Sequence, residues 1–112
     1  SVLHIPVTKN GHPRDIPLCS RSVQILRTLR PQRKGRVFVI TANAFRLNWE
    51  RLLKRTGIDD LHFHDLRHEA ISRFFELGLN VPEVALISGH RDYRMLFRYT
   101  HMKAESVVEK LK

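Results

Sequence analysis

The stretch His62-Phe-His64-Asp-Leu-Arg67-His68-Glu69 places three histidines, an arginine and two carboxylates in eight consecutive positions. Such a density of ionisable groups suits a metal cage, an acid–base device or an anion clamp. On a helix, His64 and His68 share a face, being four residues apart. A zinc protease pattern needs Glu directly after the first His, and here Asp65 and Leu66 follow. His62 and His64 could lie on one side of a strand, but no cysteine or carboxylate at ligand spacing completes that set. No metal is therefore expected. Acyl transfer has no G-x-S-x-G to support it, and Cys19 stands alone. A P-loop and a G-x-G-x-x-G are both missing, so no cofactor is expected.

Phosphate chemistry fits better. His64 and Arg67 are three apart at an expected helix N-terminus, where backbone N–H groups and the helix dipole favour an anion. Arg67 can grip two phosphate oxygens with its planar fork. His64 can donate a hydrogen bond or move a proton. Taken singly, any Arg or His here reads equally well as a surface ion pair.

The elements around this stretch follow from periodicity and turn chemistry. Val2–Val7 and Arg14–Leu18 flank Asn10-Gly11, a hairpin signal, because both residues tolerate positive φ. Lys9 then sits at or beside the hairpin tip, and Pro6 and Pro17 favour edge strands. Ser20 is the expected N-cap of a helix carrying Val23, Leu26 and Leu29. A basic loop over residues 30–36 leads to a short apolar strand at 37–40. From Thr41, a helix sets Phe45, Trp49, Leu52 and Leu53 on one face and ends at Gly57. Leu66, Ala70, Phe74 and Leu77, flanked by Ile71 and Phe75, predict a helix stopped by Gly78. Asn80-Val81-Pro82 opens a shorter one that closes at Gly89. Asp92 caps another through Tyr93, Leu96, Tyr99 and Met102, and Val107, Val108 and Leu111 mark an amphipathic tail. The expected architecture is mainly helical α+β: an N-terminal hairpin, with a third short strand, on about five helices.

Twenty Lys and Arg against eleven Asp and Glu give a net charge of +9, and seven histidines can add to it. That field attracts polyanions, nucleic acid first, with an idle basic surface or acidic lipid as the alternatives. Arg46, Arg51, Lys54 and Arg55 lie mostly off the apolar face of their helix, either as phosphate contacts or as a solvated side. One cysteine excludes an internal disulfide and fits a reducing, cytoplasmic setting. No apolar run approaches a membrane span, so no membrane partner is expected. The 112 residues read as one domain. They open without Met on what reads as a strand, which suggests part of a longer chain.

Three further motifs follow the cluster. His64-Asp-Leu-Arg67-His68 is succeeded by Leu86-Ile-Ser-Gly89-His90 and then by Tyr99-Thr-His101. With the Lys9 hairpin, Thr8 to Leu18, this order resembles the tyrosine recombinase (phage integrase) family over essentially the whole chain. The resemblance implies the carboxy-terminal part of that family's catalytic domain, acting in site-specific DNA recombination. Tyr99 matches the nucleophile that attacks a phosphodiester, giving a 3′-phosphotyrosyl bond and a free 5′-hydroxyl. Arg67 and His90 match the phosphate ligands, and His64 a proton acceptor or further ligand. Lys9 matches the general acid, and His68 a packing position behind the site. Tyr93, a rival phenol, is expected to pack in the core. Arg14, Arg46, Arg51, Lys54 and Arg55 are candidate contacts to double-stranded DNA. The family's other arginine lies in an L-R-x-S-E-like helix that has no counterpart here, nor has its amino-terminal DNA-clamping domain. The isolated chain is therefore expected to be inactive, while its longer parent assembles as a tetramer on DNA with accessory bending or directionality proteins. A bacterial or phage-encoded, nucleoid-associated protein is implied. A regulatory DNA-binding relative and a type IB topoisomerase-like enzyme share these motifs and remain the alternatives.

Overall fold

The computed structural model describes residues 1–9, 11–29, 34–100 and 103–112. Asn10, residues 30–33, His101 and Met102, on which parts of the hairpin, loop and tail expectations fell, lie outside the described residues. Strands β1 (Val2–Ile5) and β2 (Arg14–Pro17) pair antiparallel, with Leu3 opposite Ile16 and Ile5 opposite Arg14. Side chains alternate along β2, so Arg14 and Ile16 are half-buried on one face while Asp15 and Pro17 are exposed on the other. At the connection, the Gly11 N–H bonds the Thr8 carbonyl at 2.9 Å, with Gly11 at φ +75°. Lys9 sits in that turn and is exposed.

Helix α1 (Ser20–Thr28) begins one residue earlier than expected. Cys19, in extended conformation, is its N-cap, no side chain caps it, and Ser20 is already helical. The strand expected at 37–40 does not form: these residues follow an irregular path, and Val39 is 92% exposed. An apolar run becomes a strand only when a neighbour takes up its N–H and C=O groups, and among the described residues β1 and β2 pair with each other alone.

Helix α2 (Ala42–Thr56) starts as read, with Thr41 Oγ1 accepting the Ala44 N–H at 3.1 Å, and ends in a left-handed Gly57. Its apolar stripe is only partly covered. Trp49 and Leu53 are half-buried, whereas Phe45 and Leu52 are exposed. Trp49 Nε1–H donates to the Leu61 carbonyl at 3.1 Å, and Phe63 meets Phe45 and Trp49 edge-on at 4.8 and 5.4 Å. These contacts tie α2 to the segment that delivers the histidine cluster.

Helices α3 (Asp65–Glu76) and α4 (Val81–Ser88) and a 3₁₀ helix (Tyr93–Tyr99) enclose the core of Ile71, Val84, Ala85 and Leu96. The buried face of α3 is rotated from the expected one: Ile71, Phe74 and Phe75 pack inward, while Leu66 and Leu77 are exposed. Asn80 and Glu83 form a reciprocal capping box at the start of α4. The helix expected to run from Asp92 through Met102 is a 3₁₀ helix ending at Tyr99. Its buried residue is Leu96, and Tyr93 is exposed rather than packed in the core. Helix α5 (Ala104–Val108) and a final turn (Glu109–Leu111) complete the described chain. The radius of gyration, 17.6 Å, exceeds the roughly 13 Å of a compact domain this long, and neither α1 nor α2 packs against another described helix or strand. No described helix is long and apolar enough to cross a membrane.

Candidate active site

The last carbonyl of a helix has no partner within the helix, and cations near it are favoured by the dipole. At the end of α4 two guanidinium groups meet that need. Arg14 Nη1 and Arg67 Nη2 both donate to the Ser88 carbonyl, at 2.8 and 2.7 Å. Arg14 arrives from the inward face of β2, and Arg67 from the first turns of α3. Side by side, these cations repel one another unless an anion lies between them. They share the wall of a shallow cleft of about 480 Å³ with Lys9, His90 and Arg91. Its described lining contains four cations and no carboxylate.

Gly89 makes the convergence possible. It is the left-handed C-cap of α4 at φ +81°, and a Cβ there would lie 1.9 Å from Arg14 Nη1. Arg14 Nε is buried with no hydrogen-bond partner among the described residues, so this guanidinium is held by fit more than by full pairing. Gly89→Ala should therefore lower unfolding stability by about 1–2 kcal/mol from the backbone alone. It should also displace Arg14 from Ser88, and urea titration combined with an Arg14 Nε–Hε NMR signal reads both effects. An unchanged Arg14 signal would show that the contact is incidental.

His90 begins the loop after α4. Its Nδ1 lies 2.6 Å from Ser88 Oγ and 3.5 Å from Arg67 Nη2. A guanidinium can only donate, so Nδ1 is an acceptor and the ring proton resides on Nε2. Burial, then the charges of Arg67, Arg98 and His68, hold the His90 pKa below its ordinary value. At neutral pH the ring is thus uncharged, with Nε2–H as a donor that does not depend on protonation.

A second cluster holds the phenol. Tyr99 Oη lies 2.5 Å from His68 Nδ1 and accepts a hydrogen bond from Arg98 Nη2 at 2.8 Å. Arg98 Nη2 also approaches His68 Nδ1 at 3.2 Å. The Tyr99 ring lies near-parallel to those of Phe75 and His68, at 6.4 and 6.2 Å between centroids. His64 meets His68 edge-on at 5.1 Å and is itself exposed. Because Arg67 and His68 are consecutive on α3, one helical turn serves both clusters.

The structure therefore brings Lys9, Arg67 and His90 to one cleft and ties Tyr99 to His68, with His64 edge-on to His68. The expected anion site at the start of α3 does not form. The N–H groups of Asp65, Leu66 and Arg67 are taken by the carbonyls of His62, Phe63 and His64. Asp65 occupies that end as well: its carboxylate accepts the His62 N–H at 2.8 Å, which holds its pKa below the ordinary range. The anion-attracting groups lie instead at the opposite end of α4. Among the surface candidates, Arg46 is paired with Glu50 at 2.8 Å and with Asn43, while Arg51, Lys54 and Arg55 are exposed on α2. Ser88, Arg91 and Arg98 were not singled out from sequence. Arg98 and Ser88 flank the motif residues Tyr99 and Gly89-His90, and that adjacency was the available signal. No group of three metal-ligating side chains occurs among the described residues.

A helical unit with a small hairpin, a cationic cleft at a Gly-His turn and a phenol on the following element define a protein of the phage integrase class. The chain belongs to the phage integrase family, whose profile matches residues 1–106. It is 56% identical over 111 residues to the shufflon-specific DNA recombinase of Escherichia coli, covering 98% of this chain and 29% of that protein. A Haemophilus influenzae relative, provisionally named integrase/recombinase, is 37% identical over 97 residues, covering 82% of this chain and 25% of the relative. The integrase of Escherichia phage 186 is 32% identical over 108 residues, covering 94% and 30%. The chain thus spans a quarter to three tenths of the length of these relatives. No solved structure matches it.

Proposed function

We propose that this chain is the carboxy-terminal part of a tyrosine recombinase catalytic domain, which breaks and rejoins double-stranded DNA in site-specific recombination. The observation that carries this reading is the cleft lined by Lys9, Arg14, Arg67 and Arg91 without a carboxylate. Recombination as the outcome is supported by family membership and by the names of the relatives.

A scissile phosphate in this cleft would meet Arg67 and the Nε2–H of neutral His90, donors that strengthen as charge builds on the phosphoryl oxygens. Tyr99 loses its phenolic proton, and its oxygen forms a bond to phosphorus. The bond from phosphorus to the 5′-oxygen breaks, and that oxygen takes a proton from Lys9 on the hairpin. The resulting 3′-phosphotyrosyl ester keeps the phosphodiester's energy. A second 5′-hydroxyl can therefore reverse the step without ATP. His64 is a further candidate for phosphate ligand or proton acceptor. Exposed Arg51, Lys54 and Arg55 add sequence-independent affinity for DNA. The working form is a tetramer of the longer protein on DNA, and the 112 residues alone bind weakly and cleave poorly.

The test is a nicked suicide substrate offered to the full-length protein. A DNA–protein adduct that survives denaturation is expected, and its absence would remove the reading. Lys9→Ala should slow adduct formation by about 10²–10⁴-fold on ordinary DNA. Substituting sulfur for the bridging 5′-oxygen should restore most of that loss. A thiolate, with a reference pKa of about 8.5, leaves without a proton. A Lys9→Ala defect of equal size on both substrates would show that Lys9 is not the acid.

A further inference from the structure

Resting on Tyr99 as the nucleophile, we propose that His68 is the catalytic proton acceptor for its phenol. The family resemblance points to His64 for that task and gives His68 a packing position. The side-chain arrangement favours the reverse. His68 Nδ1 lies 2.5 Å from Tyr99 Oη, whereas His64 reaches only the edge of the His68 ring.

Protonation can be worked out from the neighbours. Arg98 Nη2 faces both Tyr99 Oη at 2.8 Å and His68 Nδ1 at 3.2 Å. Arginine only donates, so Nδ1 presents a lone pair and the ring proton is on Nε2. The phenolic hydrogen is then the donor in the contact between Tyr99 and His68. A base with its lone pair on the hydroxyl to be ionised has the geometry that general-base catalysis requires. The phenol plane lies within 21° of the imidazole plane, so Tyr99 Oη sits close to that plane, where the Nδ1 lone pair points.

Arg98 makes the transfer workable. Its bond to Tyr99 Oη, at 2.8 Å, strengthens as that oxygen becomes negative. In the step, the Tyr99 O–H bond breaks and an N–H bond forms at His68 Nδ1. The freed electron pair makes the oxygen–phosphorus bond, and the departing 5′-oxygen is protonated by Lys9. In the return step His68 gives the proton back to Tyr99.

The test uses the full-length protein in single-turnover adduct formation on a suicide substrate. His68→Asn keeps a hydrogen-bonding atom near the Nδ1 position but accepts no proton. It should slow adduct formation by about 10²–10⁴-fold with DNA binding unchanged. Placing 3,5-difluorotyrosine at position 99, whose phenol ionises more readily, should shrink that deficit by roughly tenfold or more. A His68→Asn protein that cleaves at the wild-type rate or faster would mark the contact as a latch and overturn the proposal. So would a deficit that fluorination leaves unchanged, or a rescue seen for His64→Asn in place of His68→Asn. Tyr99→Phe is the control: if it abolishes the adduct while His68→Asn does not, the nucleophile stands and only the acceptor fails.

Discussion

Tyr99→Phe should eliminate the covalent DNA adduct of the full-length protein while leaving its DNA affinity within about twofold. The substitution removes one oxygen from a half-buried ring and keeps that ring packed against the core. Leu96, the fully buried residue of the same 3₁₀ helix, is untouched, so the segment has no reason to unfold. The hydrogen bonds lost to His68 and Arg98 cost on the order of 1 kcal/mol each in stability, too little to unfold a domain of ordinary stability. The chemical loss is of another size. Without a nucleophile the covalent route is closed, and losses on the order of 10⁶-fold accompany removal of catalytic nucleophiles elsewhere. Quantifying the adduct on a nicked substrate, alongside an electrophoretic binding titration, separates the two effects. Exposed Tyr93 is the other phenol available. Should Tyr93→Phe, and not Tyr99→Phe, remove the adduct, the assignment of the nucleophile is wrong.

The motifs are legible in the sequence to a greater degree than their contacts. The starts of α2 and α4 were legible because Thr41 and Asn80 carry the capping chemistry themselves. The apolar run at 37–40 forms no strand because a strand depends on a partner that local composition cannot supply. On α3, periodicity found a helix but set its buried face on Leu66 and Leu77. The actual face is decided by where α4 and the 3₁₀ helix lie, which is long-range information. The same limit explains Arg14. Nothing local separates it from other basic residues, yet alternation along β2 and the missing Cβ of Gly89 bring it to Ser88. His68 was placed behind the site because the family pattern gives it no task, while the bond to Tyr99 spans 31 residues of sequence. Spacing alone does not reveal a contact of that range.

Arg67→Ala should reduce cleavage by at least about 10²–10³-fold, far more than it weakens DNA binding. Two guanidinium groups share the Ser88 carbonyl, so losing Arg67 leaves Arg14 in place and does not orphan the end of α4. Arg67 is itself exposed, and truncating it opens no buried cavity. Stability should consequently fall by no more than about 1–2 kcal/mol. Binding loses one phosphate contact among several, which lowers the salt dependence by about one ion and the affinity modestly. Chemistry loses a donor aimed at charge that exists only in the transition state. A further consequence appears at His90. The Arg67 charge is, after burial, a cause of its lowered pKa, so the ring should titrate closer to its ordinary value in the variant. NMR titration of His90 reads that shift independently of activity. Arg67→Lys keeps a charge near His90 but loses the fork that can serve Ser88 and a phosphate together, so it should restore the titration more fully than the cleavage. If Arg67→Ala instead loses binding and cleavage in equal proportion, Arg67 is one more backbone contact and the clamp must be sought elsewhere.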